Sequence, residues 1–216
     1  MKYNIYSLTS NNKPSLLFIP GWNNSINKGF IHYLSNYYSV LALSLEGIDP
    51  LLSCEKLYST KEYVQQIKDI LTEHNFVPEL VIGHSCANKF IVQIDFSCPT
   101  ILVAPSIFKP SFFARLKVKI KIRRNKIAKR LAKVFKITLS KKYLGSIDYQ
   151  QTNENNRKLF LYLKDYYPSS FAGKKSDYYI IGYKNDSLVL KKNLLRGAKK
   201  KKLTKPLFFN GTHSSI

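Results

Sequence analysis

Gly83-His84-Ser85-Cys86-Ala87 places a serine between two small residues, each two positions away. That spacing suits a turn tight enough to lift a hydroxyl clear of the backbone, where larger side chains at the flanking positions would clash. A serine hydroxyl is a poor nucleophile until a general base takes its proton, and that base needs a carboxylate to hold it and stabilise its charge. Downstream, Lys184-Asn185-Asp186 and Gly211-Thr212-His213 supply an acid and a histidine, each just after an apolar run. Together Ser85, Asp186 and His213 have the residue types for acyl transfer through a covalent acyl-serine.

Such a set works only if the chain brings its members together, so the elements around them matter. Short apolar runs ending in Gly, Pro or polar turns recur: Leu16 to Pro20, Ser39 to Leu45, Leu80 to Gly83, Thr100 to Ala104, Tyr178 to Tyr183 and Leu207 to Asn210. Most are continuous and not alternating, as strands covered by helices on both faces require. Helical spacing between them, as in Lys61 to His74 and Cys86 to Phe96, predicts a mainly parallel α/β sheet with crossover helices. The first ten residues are expected to add one or two edge strands. Ser85, Asp186 and His213 then all fall at carboxyl ends of parallel strands, the edge where open α/β sheets bind ligands.

Strand spacing breaks between Pro105 and Lys174, where about 70 residues intervene, far beyond an ordinary connection. An inserted element over approximately 107–172 is expected within a single domain spanning 1–216. Phe112, Leu116, Ile120, Ile127, Leu131 and Val134 suggest a long amphipathic helix there, and Asn153 to Tyr166 suggests another. Lys117 to Ile122 alternates strictly, which leaves a local strand open.

Composition bounds the rest. The 216 residues suffice for one domain with a substantial core, and a hydrophobic fraction of 44% excludes a disordered or fibrous chain. Cys54, Cys86 and Cys98 are odd in number and lack CxxC or Cys/His metal spacing, which argues against a disulfide framework and structural zinc. The N-terminus lacks the pattern of a secretion signal, and no apolar run approaches a bilayer span, so a cytoplasmic protein is expected. The formal net charge of +22 is mostly lysine excess, and the accompanying Asn, Ile and Tyr fit A/T-rich coding as well as an acidic partner.

At this point the chain resembles the α/β-hydrolase superfamily, in particular single-domain esterase-like members with a lid inserted after the sixth strand. The matching segments are LLFIPGWNNS, VIGHSCANKFIV, LVAPS, GSIDYQQTNENNRKLF, IIGYKNDSLV and FFNGTHSS. The order Ser, Asp, His is also that fold's, unlike the orders in chymotrypsin and subtilisin. Carried over position by position, the resemblance implies nucleophile Ser85, acid Asp186 and base His213. It further implies oxyanion donors in the backbone N–H groups of Trp22 and Cys86, a carboxylic ester or related acyl substrate, and no metal or organic cofactor. Family members usually have His where Pro20 precedes Gly21. Ser44-Leu45-Glu46-Gly47-Ile48-Asp49 replaces the usual Asp-x-Pro-Gly-x-Gly segment. After His213 they usually continue into a helix that steadies the histidine loop, where this sequence has three residues.

Other candidates read as structural. His84 precedes the serine and is expected to point away from it as a packed or hydrogen-bonded side chain; His32 and His74 sit in helix-like stretches; the Cys86 thiol enters the helix after the turn. Asp177 precedes its strand and Asp148 lies in the insertion, which leaves Asp186 as the acid. Trp22 either lines the acyl pocket or covers core. Lys109 to Lys142 contains no Asp or Glu, and Lys199 to Lys202 adds a second basic cluster. A solvated face, an anionic acyl substrate or an anionic membrane surface each accounts for these clusters; nucleic acid is disfavoured for want of a recognition motif. From these features a second reading follows, a catalytically weak relative whose basic lid binds an acidic partner or membrane.

Overall fold

A computed structural model describes residues 1–135, 152–213 and 215. Among them, seven strands form one sheet: β1 (Tyr3–Leu8), β2 (Ser15–Ile19), β3 (Ser39–Leu45), β4 (Leu80–His84), β5 (Thr100–Val103), β6 (Tyr178–Tyr183) and β7 (Leu207–Phe209), in the order β1-β3-β2-β4-β5-β6-β7. The six apolar runs are the parallel strands, and the N-terminal residues add a single antiparallel edge strand, with Tyr3 opposite Leu45 and Leu8 opposite Val40.

Both faces are covered, as the continuous apolar runs require. Leu17, Leu41, Leu43, Val81 and Leu102 point into one core, while Leu16, Phe18, Val40, Ala42, Ile82 and Val103 point into the other, the alternation a pleated strand imposes. Helix α1 (Lys28–Ser35) closes the second core with Ile31 and Leu34. Helix α2 (Thr60–Glu73) closes the first with Tyr63, Ile67 and Ile70, and starts at a capping box in which Ser59 and Glu62 satisfy each other's backbone N–H groups. The helix expected over Cys86–Phe96 is shorter: a single tight turn at Ser85–Ala87 and then α3 (Asn88–Ile91). β-Branched Ile91, Val92 and Ile94 disfavour its continuation, and Asp95 closes a turn by accepting from the Ser97 N–H.

The long stretch between β5 and β6 divides. Residues Met1–Phe108 and Asn153–Ile216 form one compact unit and Lys109–Thr152 another. The second contains α4 (Phe112–Val134); Lys117 to Ile122 lies inside it, so the helical period prevails over the local alternation. Helix α5 (Glu154–Asp165) belongs to the first unit, although spacing alone assigned it to the insertion. Leu159 and Leu163 are buried in the sheet's core, Asn156 Oδ1 accepts from the Cys54 N–H at 2.8 Å, and the Ala172 N–H donates to Val92 O at 2.9 Å. Residues 136–151 of the expected insertion, including Asp148 and the end of the basic stretch that runs to Lys142, lie outside the described residues. Helix α6 (Lys191–Lys201) packs Leu194 and Ala198 into the first core. Among the described residues no helix is long and apolar enough to cross a membrane.

Lys89 of α3 is buried, and its ammonium donates to the carbonyls of Ser106 and Tyr166, both at 2.6 Å, with the Tyr167 ring 4.8 Å away. It thereby joins the segment after β5 to the segment after α5. Burial brings its pKa down from 10.5 to about 8, against the opposing pull of Cys86 and Asp165. A lysine whose folded pKa is depressed destabilises the fold wherever it must stay charged, and that penalty lifts as pH rises from 8 towards 10.5. Wild type should therefore gain stability relative to Lys89→Met across that window, by about 2–3 kcal/mol. Urea midpoints that run parallel for the two proteins from pH 7.5 to 10 would contradict this.

Candidate active site

β4 is the central strand, flanked by β2 and β5, and ends at His84. The chain then reverses at Ser85, whose φ of 50° is in the left-handed region that side-chain-bearing residues avoid. Close packing enforces the turn. A Cβ on Gly83 would sit 2.2 Å from Ile91 Cδ1 and 2.5 Å from Asn88 Oδ1, and Ala87 is fully buried. The Ser85 carbonyl accepts from the Asn88 amide and from the Ser106 N–H, each at 3.2 Å, which holds the strained peptide in place.

Two further strands bring their terminal residues to this point. β6 and β7 lie side by side, and the Asn185 N–H donates to Gly211 O across the loops that follow them. His213 Nε2 is 2.8 Å from Ser85 Oγ, and His213 Nδ1 is 2.8 Å from Asp186 Oδ2. Asp186 is buried, and its other oxygen, Oδ1, accepts from the Leu188 and Val189 N–H groups, both at 2.8 Å. Burial alone would push this carboxyl up; the hydrogen bonds from His213, Val189 and Leu188 outweigh it and hold it below the ordinary carboxylate range. With a carboxylate on Nδ1, the neutral imidazole keeps its proton there and leaves Nε2 to accept from the serine hydroxyl.

What steadies the histidine loop is absent from the sequence pattern. The His84 Nε2–H donates to the His213 carbonyl at 2.9 Å, with the two rings 5.2 Å apart. Tyr183 Oη donates to Ser215 O at 2.6 Å, and Ser215 in turn accepts from the Thr212 N–H. His84 is thus hydrogen-bonded as expected, but onto the backbone of His213, the expected base. Burial first, and the neighbouring His213 charge second, lower its pKa to about 4, so it stays neutral. Its Nδ1 is buried without a partner among the described residues, and a Cβ on Gly21 would approach it to 2.9 Å.

The expected oxyanion donors lie beside the serine in two different states. Cys86 occupies the first turn after β4, where a helix N–H has no intrahelical acceptor. The Trp22 N–H instead donates to Cys86 Sγ at 3.0 Å. Burial pushes that thiol up to about 11, so it remains protonated. The Trp22 loop is fixed by Asn23, whose φ is 60° and whose N–H donates to Ile48 O at 2.7 Å; the unusual Glu46–Asp49 segment thereby supports it. The Trp22 indole packs on Phe160 of α5, with ring centroids 4.3 Å apart, and against the core, so of its two expected roles the covering one is met. Asp177 lies at the start of β6, at the opposite edge of the sheet; His32 pairs with Tyr6 Oη, and His74 closes α2.

No family model and no curated protein matches the sequence. Solved structures do match by fold. A putative lipase from Acinetobacter baumannii AYE aligns with a TM-score of 0.65 at 19% identity, over 98% of this chain and 81% of that one. A membrane phospholipase A described as a bacterial virulence factor aligns with a TM-score of 0.65 at 15% identity, over 98% and 75%. The third, 1H-3-hydroxy-4-oxoquinoline 2,4-dioxygenase, aligns with a TM-score of 0.61 at 13% identity, over 98% and 89%. One scaffold carries hydrolytic and oxygenating members alike, so the likeness speaks to architecture and leaves chemistry to the site. What the chain has in common with all three is the α/β-hydrolase fold.

Proposed function

We propose that this protein is a serine hydrolase cleaving a carboxylic ester or related acyl compound through an acyl-Ser85 intermediate. The observation that carries the reading is the continuous relay from Ser85 Oγ to His213 Nε2 and from His213 Nδ1 to Asp186, both links 2.8 Å, at a strained turn ending the central strand. Carboxylesterases and an enol-lactonase among the structures of this fold support hydrolysis as the reaction class.

In this reading His213 Nε2 takes the Ser85 proton as Oγ attacks the acyl carbon, while Asp186 stabilises the imidazolium through Nδ1–H. The tetrahedral oxyanion draws on the Cys86 N–H and on the Trp22 N–H, which leaves Cys86 Sγ to reach it. Collapse expels the leaving group, protonated by His213. Water, deprotonated by the same nitrogen, then releases the acid and restores Ser85. Each step uses only groups of this chain, the acyl substrate and water.

A fluorophosphonate probe should label the protein at Ser85, and Ser85→Ala should abolish labelling and lower kcat on acyl esters by about 10³-fold or more. Wild type that neither labels nor turns over any ester of a chain-length panel would overturn the proposal. That outcome would favour the second reading, a catalytically weak relative that binds through its basic insertion; the Trp22 N–H engaged by a thiol is the observation on its side.

A further inference from the structure

Helix α4 pairs two properties that a helix of a water-facing surface seldom combines. Leu116, Ile120, Ile127, Leu131, Val134 and the adjoining Phe135 are 42% to 72% exposed. At 3.6 residues per turn they fall within an arc of about 100°. Exposed Ile122 lies off that arc. The same stretch, Phe112–Val134, carries ten Lys and Arg and no Asp or Glu. Exposed Arg123, Lys126 and Arg130 fall on or beyond one border of the apolar arc, and Arg124 near the other.

We propose that α4 lies in the plane of an anionic lipid bilayer, with its aliphatic arc among the acyl chains and its cations at the headgroups. A basic helix of large apolar arc and low overall hydrophobicity is the form that binds at this interface without spanning it. Its 23 residues extend about 34 Å, enough to engage several headgroups at once. The charge pattern separates this occupant from others. A second copy would bring ten cations against ten, which repel. A nucleic acid would take the cations and leave the aliphatic arc in water. An anionic bilayer satisfies both halves of the helix.

The test is co-sedimentation of the full chain with vesicles of phosphatidylcholine, with and without phosphatidylglycerol. Wild type should bind the anionic vesicles at least about tenfold more tightly than the neutral ones, since each cation near the surface adds to the attraction. Binding should weaken, without vanishing, when salt rises from 0.1 to 0.5 M, because salt screens the cations and not the arc. The triple variant I120S/I127S/L131S should bind at least about tenfold more weakly, and R123Q/R124Q/K126Q/R130Q about thirtyfold more weakly, at unchanged urea midpoints.

Three outcomes overturn the proposal: no preference for anionic vesicles; a triple serine variant that binds as tightly as wild type, which reduces the helix to an electrostatic patch; or a lipid-free dimer that the triple variant dissolves, which assigns the arc to a second copy. Single-stranded RNA that displaces wild type from vesicles and binds the triple serine variant undiminished would assign the helix to nucleic acid instead. None of these readouts involves Ser85, so failure of acyl-enzyme formation leaves the proposal standing.

Discussion

Asp186→Asn should lower kcat for ester hydrolysis by about 10⁴ while KM stays within a few-fold. The size follows from the partners of the two carboxylate oxygens. Oδ1 accepts two backbone N–H groups, from Leu188 and Val189, so an asparagine must keep its only oxygen there. Its amide nitrogen then faces His213 Nδ1, donates to it, and drives the imidazole proton onto Nε2. That nitrogen faces Ser85 Oγ, and a protonated Nε2 cannot serve as a base. The fold should tolerate the change, because volume and the two backbone bonds are kept. Steady-state kinetics and fluorophosphonate labelling both check it; retention of a tenth of wild-type kcat would contradict the assignment of Asp186. Stability provides an independent readout. The folded-state carboxyl is held below its ordinary value, so its contribution is complete above about pH 4 and fades as pH falls through the folded pKa; the asparagine variant should lack that component.

The second large effect concerns His84. His84→Phe should lower kcat about 10- to 100-fold with little change in KM, whereas His84→Gln should recover most of it. Phenylalanine fills the site but removes the donor to the His213 carbonyl, leaving that carbonyl unpaired and the base free to drift. Glutamine returns an N–H at the distance of Nε2. A displacement of the base by about 1 Å suffices for a loss of this order. Equal kcat for the phenylalanine variant and wild type would show that Tyr183 and Ser215 hold the loop unaided. His84 also predicts acid sensitivity. Unfolded, it takes a proton near pH 6.5; folded, only near pH 4. Stability is therefore full above pH 6.5 and declines as pH falls from there to 4, by about 3 kcal/mol, and His84→Gln should lose that decline. Chemical denaturation of both proteins at pH 7 and 4.5 measures the difference.

How far the sequence carried these conclusions depends on whether the physics was local. The turn at Ser85 was legible because strand, small flanking residues and following helix are adjacent, and Asp186 and His213 because each follows a strand whose apolar run marks its end. The parallel sheet was legible for the same reason. Contacts between residues far apart were not. Nothing beside His84 announces that its ring reaches a carbonyl 129 positions later, and Lys89, charged in a run read as an ordinary helix, is buried by segments that begin 17 and 77 residues on. The only local sign was a titratable side chain next to, or one turn after, Ser85. Strand spacing could not divide 107–172, since the burial of Leu159 and Leu163 against the sheet is a tertiary matter. Alternation in Lys117 to Ile122 was ambiguous until the longer helical period around it settled the geometry.

The thiol beside Trp22 bears on how a site divides its favours between reactant and transition state. Sulfur accepts hydrogen bonds weakly, so an N–H resting on Cys86 Sγ is kept in position without being strongly satisfied. An uncharged substrate carbonyl gains little by displacing it. A developing alkoxide gains a charge-assisted bond in exchange for a feeble one. In the proposed reaction the exchange would become favourable only as charge accumulates, which would be differential binding of the activated complex by way of the cysteine that follows Ser85.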